Sequence, residues 1–203
     1  RLSGTHNCAS ARAHLREAAL HVLADIEDRV GNVILMRPER LTAVRDALAR
    51  GRYVEIRGEA GVGKSGVLKH LANQLAQESQ IIVLSPNRTT PNGWSALRAT
   101  LGFDGTAHKL LVDLAASGGA VLFVDSLENF SEPEQKTVID LVREAAAVPG
   151  FSVVATARPA FATDERSWLP VDALAALGPG VSVTLGELSE TEIAELCDAA
   201  PAL

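Results

Sequence analysis

Tyr53-Val54-Glu55-Ile56-Arg57-Gly58-Glu59-Ala60-Gly61-Val62-Gly63-Lys64-Ser65 runs from a short β-branched stretch, through a glycine-rich loop, into residues that favour a helix. The spacing has a geometric reason. Gly58, Gly61 and Gly63 let the backbone turn so that successive N–H groups point into one hollow, where they bind phosphate oxygens. A helix beginning near Lys64 adds its positive end to that hollow. The Lys64 ammonium can bridge β- and γ-phosphates, and the Ser65 hydroxyl can ligate Mg²⁺. The expected cradle is Gly58, Glu59, Ala60, Gly61, Val62, Gly63, Lys64, Ser65 and Gly66. Because the loop follows a strand and opens a helix, it reads as a P-loop rather than a chance glycine turn. The implied cofactors are ATP or ADP with Mg²⁺.

Working outward, four further strand-like runs are expected at Gln80–Leu84, Ala120–Val124, Phe151–Ala155 and Val181–Leu185. Helical patterns separate them, at Lys64–Gln77, Ser95–Leu101, Ala107–Ala116, Glu132–Ala147 and Val171–Leu177. Such alternation predicts an α/β domain with a parallel sheet covered by helices on both faces. Upstream, Pro38 opens a helix over 38–50, with Leu41, Val44, Ala47 and Leu48 on one face. Leu15, Ala18, Ala19, Val22, Leu23 and Ile26 recur at helical spacing and predict a helix over 11–29, closed by Gly31. That helix either connects an upstream module or packs on the core to cover a sheet edge. Residues 1–10 are mixed and polar and are expected as a frayed end or linker.

A phosphate loop needs a second acid to hold the metal's water shell. Val121-Leu122-Phe123-Val124-Asp125 supplies it, since a parallel sheet presents ligands at the carboxyl ends of its strands. Ser65 and Asp125 are thus the expected Mg²⁺ site, partly through water. Glu128, three residues on, is either the group that polarises an attacking water or a solvated loop acid. The strand ending in Thr156-Ala157-Arg158-Pro159 brings a hydroxyl and a guanidinium toward the γ-phosphate. Arginine suits phosphate because it stays charged and presents a planar fork, although an isolated arginine is more often a surface cation.

The remaining composition narrows the class. An apolar fraction of 47% with 22% charged residues fits one folded α/β domain in 203 residues. The net charge of −6 argues against non-specific nucleic-acid binding. No apolar run reaches the roughly 20 residues of a membrane helix. Cys8 and Cys197 lack metal-ligand spacing and are expected as reduced thiols of a cytoplasmic protein. His6, His14, His21, His70 and His108 form no ligand cluster, and Trp94 and Trp168 are expected to pack rather than stack on bases. With Arg1 first and Met36 the only methionine, the chain is expected to be a piece of a longer polypeptide.

These motifs, in order, resemble the STAND branch of the AAA+-like P-loop ATPases, the signal-transducing group that includes AP-ATPases and NACHT proteins. Met36-Arg37-Pro38-Glu39-Arg40-Leu41 looks like the arginine-containing helix start that precedes the P-loop and lies near the adenine, which implicates Arg37 in nucleotide binding. Gly58–Ser65 matches Walker A. Val121–Asn129 resembles the Walker B of bacterial members, and Val153–Pro159 their sensor strand. Leu185–Glu192 is similar to the segment after the last core strand. Asn129 stands where NACHT members usually carry a further acid.

The resemblance implies a three-layer P-loop fold with a five-stranded parallel sheet, order 5-1-4-3-2, in which the sensor strand separates the P-loop and Walker B strands. It divides the chain into a linker and helix over 1–35 and a core over 36–203, lacking the helical and winged-helix domains that normally follow. It implies an ATP-dependent, slowly hydrolysing switch in signalling or defence, with Asp125, Glu128 and Arg158 as catalytic residues and Thr156 beside the phosphates. Flanking effector and sensor domains and a homo-oligomer formed on activation are the implied partners; neither membrane nor nucleic acid is indicated. Other classes are a motor-type AAA+ subunit, such as a loader or remodeller, and a non-hydrolysing nucleotide-binding scaffold.

Overall fold

The computed structural model describes residues 3–159 and 168–199. Its centre is a parallel sheet of β3 (Tyr53–Arg57), β4 (Gln80–Leu84), β5 (Ala120–Val124), β6 (Phe151–Ala157) and β7 (Val181–Thr184). The spatial order is β4-β5-β6-β3-β7. Counted along the chain and read from the β7 edge, this is the expected 5-1-4-3-2. All pairings are parallel, with Val54 opposite Val154 and Val181, and Leu122 opposite Ile82 and Val153. Every residue of β5 is buried, as suits a strand with helices on both faces.

Two apolar cores lie on the two faces. One gathers α4 (Gly93–Thr100), α5 (Ala107–Ala115), α6 (Glu132–Ala147) and α7 (Val171–Leu177) against Leu84, Leu122, Val124 and Val153. The other gathers α2 (Pro38–Arg50) and α3 (Lys64–Leu75) against Val54, Ile56, Val83, Phe123 and Val154. Polar groups fix the ends of these elements. Arg52 donates to the carbonyls of Ala145, Ala146, Val148 and Phe151, capping α6 and tying it to the sheet. On central β3, the buried Glu55 accepts from Tyr53 and Arg57, so its charge is not left alone inside the fold.

The first helix departs from expectation at both ends. α1 covers Ser3–Asp25 rather than 11–29, so residues 3–10 are helical and not a frayed linker. The stripe is split between the cores: Cys8, Ala11 and Leu15 pack on one face of the sheet, and Ala19, Val22, Leu23 and Ile26 on the other. α1 therefore crosses the edge strand β4 and covers it. Gly31 does not cap this helix. It turns a two-residue hairpin, β1 (Arg29–Val30) with β2 (Val33–Ile34), at φ 60°. A last helix, α8 (Glu190–Ala199), begins within the stretch that follows β7. Cys8 is buried and Cys197 exposed, and both are free thiols.

Candidate functional site

The P-loop lies between the carboxyl end of β3 and the start of α3. Gly61 and Gly63 adopt left-handed φ values of 83° and 86°, which side chains resist. Gly58 is glycine for a different reason: a Cβ there would come within 2.6 Å of the Leu185 carbonyl and 2.7 Å of Val62. The helix dipole and the free N–H groups of the first turn of α3 face the loop hollow. The Lys64 ammonium donates to the Gly58 and Glu59 carbonyls at 2.7 and 2.8 Å, which holds it across the loop. Burial pushes this lysine down; the charges of Glu128, Asp125 and Glu59 work against the shift, and that of Arg158 adds to it.

Asp125 emerges at the end of β5, where its N–H bonds the Leu84 carbonyl. Its Oδ1 accepts from the Ser65 hydroxyl at 2.8 Å and from the Thr156 hydroxyl at 2.7 Å. Thr156 in turn accepts from the Ser126 N–H at 2.7 Å, which fixes the turn after β5. Two strand ends and the start of α3 are thereby joined around one carboxylate. Burial pushes Asp125 up, and the two hydroxyl bonds oppose that shift. Glu128 sits on a single 3₁₀ turn, Leu127–Asn129, and pairs with Arg158 at 3.2 Å. Arg158 is half exposed, whereas Glu128 is largely covered.

Arg37 is also at the P-loop, but its guanidinium is committed to protein acceptors. Only 2% exposed, it donates to the carbonyls of Val62, Gly186 and Glu187 and to both oxygens of Glu192. Its backbone is left-handed, at φ 48°, immediately before Pro38 begins α2. Two contributors carry no signature in the sequence. Leu35, beyond the hairpin, lies beside Gly63, and Asp28 lies beside Gly66. Asp28 pairs with Lys69 at 3.0 Å, so the hairpin is fastened to the helix that carries the phosphate loop. Among the described residues no group of three or more His, Cys, Asp or Glu side chains forms a metal site. No described helix is long and apolar enough to cross a membrane.

This arrangement is the three-layer fold of P-loop ATPases. Among solved structures the chain is similar to a Walker-type ATPase of Pyrococcus abyssi, with 14% identity and a TM-score of 0.56 over 88% of this chain and 61% of that one. It is similar to Cdc6p of Pyrobaculum aerophilum, with 16% identity and a TM-score of 0.54 over 87% and 51% of the two chains. The Aeropyrum pernix ORC1 protein, solved in complex with DNA, gives 16% identity and a TM-score of 0.54 over 86% and 50%. The chain thus spans from half to about three fifths of the length of these structures. No family model and no curated protein sequence matches it.

Proposed function

We propose that the chain is the ATP-binding, slowly ATP-hydrolysing switch domain of a larger signalling or defence protein of the STAND kind. The observation that carries the nucleotide reading is the meeting of Ser65, Asp125 and Thr156 on one carboxylate oxygen beside Lys64. The residues present fit a Mg²⁺–nucleoside triphosphate: a loop with two left-handed glycines, a lysine held across it, and a hydroxyl–carboxylate pair at its helical end. When bound, the nucleotide supplies the scissile phosphoanhydride and Mg²⁺ supplies countercharge.

The chain's own residues divide the remaining work. The backbone of Gly58–Gly66 and the Lys64 ammonium would hold phosphate oxygens, and Ser65 with Asp125 would hold the metal, partly through water. Glu128 orients and deprotonates water, with Arg158 fixing its position until a γ-phosphate attracts that arginine. Arg37 acts here as a brace for the loop rather than as a direct ligand, given where its donors are spent. Flanking effector and sensor domains, and assembly on activation, belong to the same proposal. The DNA in the ORC1 structure is that protein's ligand.

Calorimetric titration with ATP and ADP in the presence of Mg²⁺ tests the site. Lys64→Ala is expected to weaken both by at least about 100-fold, equivalent to roughly 2.7 kcal/mol; unchanged affinity would remove the phosphate site. Glu128→Gln should bind ATP normally yet accumulate it uncleaved. Turnover that climbs steeply with protein concentration would favour a motor-type subunit over a switch.

A further inference from the structure

We propose that Arg88 is a second arginine for the terminal phosphate of a bound nucleoside triphosphate, held in reserve on Asp25 of the N-terminal helix. The inference rests on the nucleotide reading above and extends the site to the opposite side of Asp125. β5, which ends in Asp125, lies between β6 and β4. From the β6 side comes Arg158, paired with the acid Glu128. From the β4 side comes the loop 85–89 with Arg88, paired with the acid Asp25 at 2.6 Å. The two arginines come from the strands on either side of β5, and both are occupied by carboxylates that a phosphate can replace.

Arg88, Asn87, Ser85, Asp25 and Glu27 line one open cavity of about 510 Å³ together with Ser65 and Asp125. Arg88 thus shares a cavity with the hydroxyl–carboxylate pair expected to hold the metal. The loop presenting it is built rather than loose. Asn87 is left-handed at φ 64°, and its N–H donates to the buried Glu134 at 2.7 Å. Thr89 closes the turn by donating from its hydroxyl and its N–H to the Ser85 carbonyl. Glu134 is itself fixed by Ser131 at the start of α6. The Arg88 side chain and its partner Asp25 are both half exposed.

Asp25 is the last residue of α1. A γ-phosphate that draws Arg88 away from Asp25 therefore releases a polar fastening at the end of the N-terminal helix, while ADP, lacking that phosphate, leaves it in place; the Arg12–Asp113 pair farther up α1 is untouched. Nucleotide state and the hold on α1 become linked through one guanidinium, and the competition must run both ways. Removing Asp25 should strengthen triphosphate binding, because the arginine no longer has to be taken from a partner.

The test is the ratio of affinities for a non-hydrolysable ATP analogue and for ADP, both with Mg²⁺, in wild type, Arg88→Ala, Arg88→Lys and Asp25→Asn. Arg88→Ala is expected to weaken the analogue by about 10-fold, with ADP changed by less than about 2-fold, as for loss of one charge-assisted phosphate contact. Arg88→Lys should recover part of the loss, and Asp25→Asn should tighten the analogue alone. Amide exchange in the last turn of wild-type α1 should rise with the analogue and not with ADP. An unchanged ratio in Arg88→Ala overturns the assignment while the P-loop site stands. Weaker analogue binding by Asp25→Asn overturns the competition. A wild-type chain that binds neither nucleotide overturns the nucleotide reading, and Arg88's role with it.

Discussion

Asp125 shows what a functional carboxylate costs a fold. Its folded pKa is raised, chiefly by burial, so it binds a proton more tightly folded than unfolded. By linkage, the stability it allows is fully present below its unfolded value and is lost as pH rises through the folded one. At neutral pH the ionised side chain therefore weighs against folding. Asp125→Asn keeps an oxygen for Ser65 and Thr156 and removes the charge. We expect its melting temperature without nucleotide to rise by about 2–4 °C, for roughly 1 kcal/mol in a domain of this size. Mg²⁺-dependent nucleotide affinity should fall in the same variant. A lower melting temperature by differential scanning fluorimetry would contradict this account. Asp125, Thr156 and the loop glycines were legible in the sequence because each stands at a strand end or a turn, where chemistry and position coincide. The fate of Arg37 was not legible, since its acceptors Gly186, Glu187 and Glu192 lie far along the chain.

Among the elements, the start of α2, the P-loop and α8 are joined through the bonds of Arg37. Arg37→Ala would leave three carbonyls and the Glu192 carboxylate without this donor. These partners are half-buried or exposed, so the loss is expected to cost about 2 kcal/mol, or roughly 4–8 °C in melting temperature. Arg37→Lys should recover only part, because one ammonium cannot reproduce the fork. The Arg37 hydrogen bond holds Glu192 below the usual glutamate range. A depressed acid stabilises above its unfolded pKa and loses that contribution as pH falls through the folded value. The melting-temperature gap between wild type and Glu192→Gln should accordingly narrow below about pH 5. Strands and most helices followed from apolar period and from Gly and Pro punctuation. The hairpin of β1 and β2 did not, because two-residue strands leave too few positions for an alternation to register. Residues 3–10 were missed for a related reason: Cys8 is the only apolar residue among them apart from Ala9, too little for a stripe.

For the whole molecule, α1 decides whether the domain stands alone. It buries Leu15 in one core and Val22 and Leu23 in the other, with Ile26 just after it, each worth about 1.5–3 kcal/mol when fully withdrawn from water. Removing residues 1–26 is expected to lower the melting temperature by more than any single substitution above. It should also yield concentration-dependent assembly through the uncovered β4 edge, detectable by light scattering. A monodisperse truncated domain with the native melting temperature would refute the structural role of α1. The same crossing also sets an order of events in synthesis. α1 leaves the ribosome before any strand of the sheet exists, and its two half-stripes have nothing to bind until β4, β5 and the α3 and α5 helices have been made. A helix made before the sheet is thus among the last elements of the domain to find its place, and the domain closes by a long return to α1.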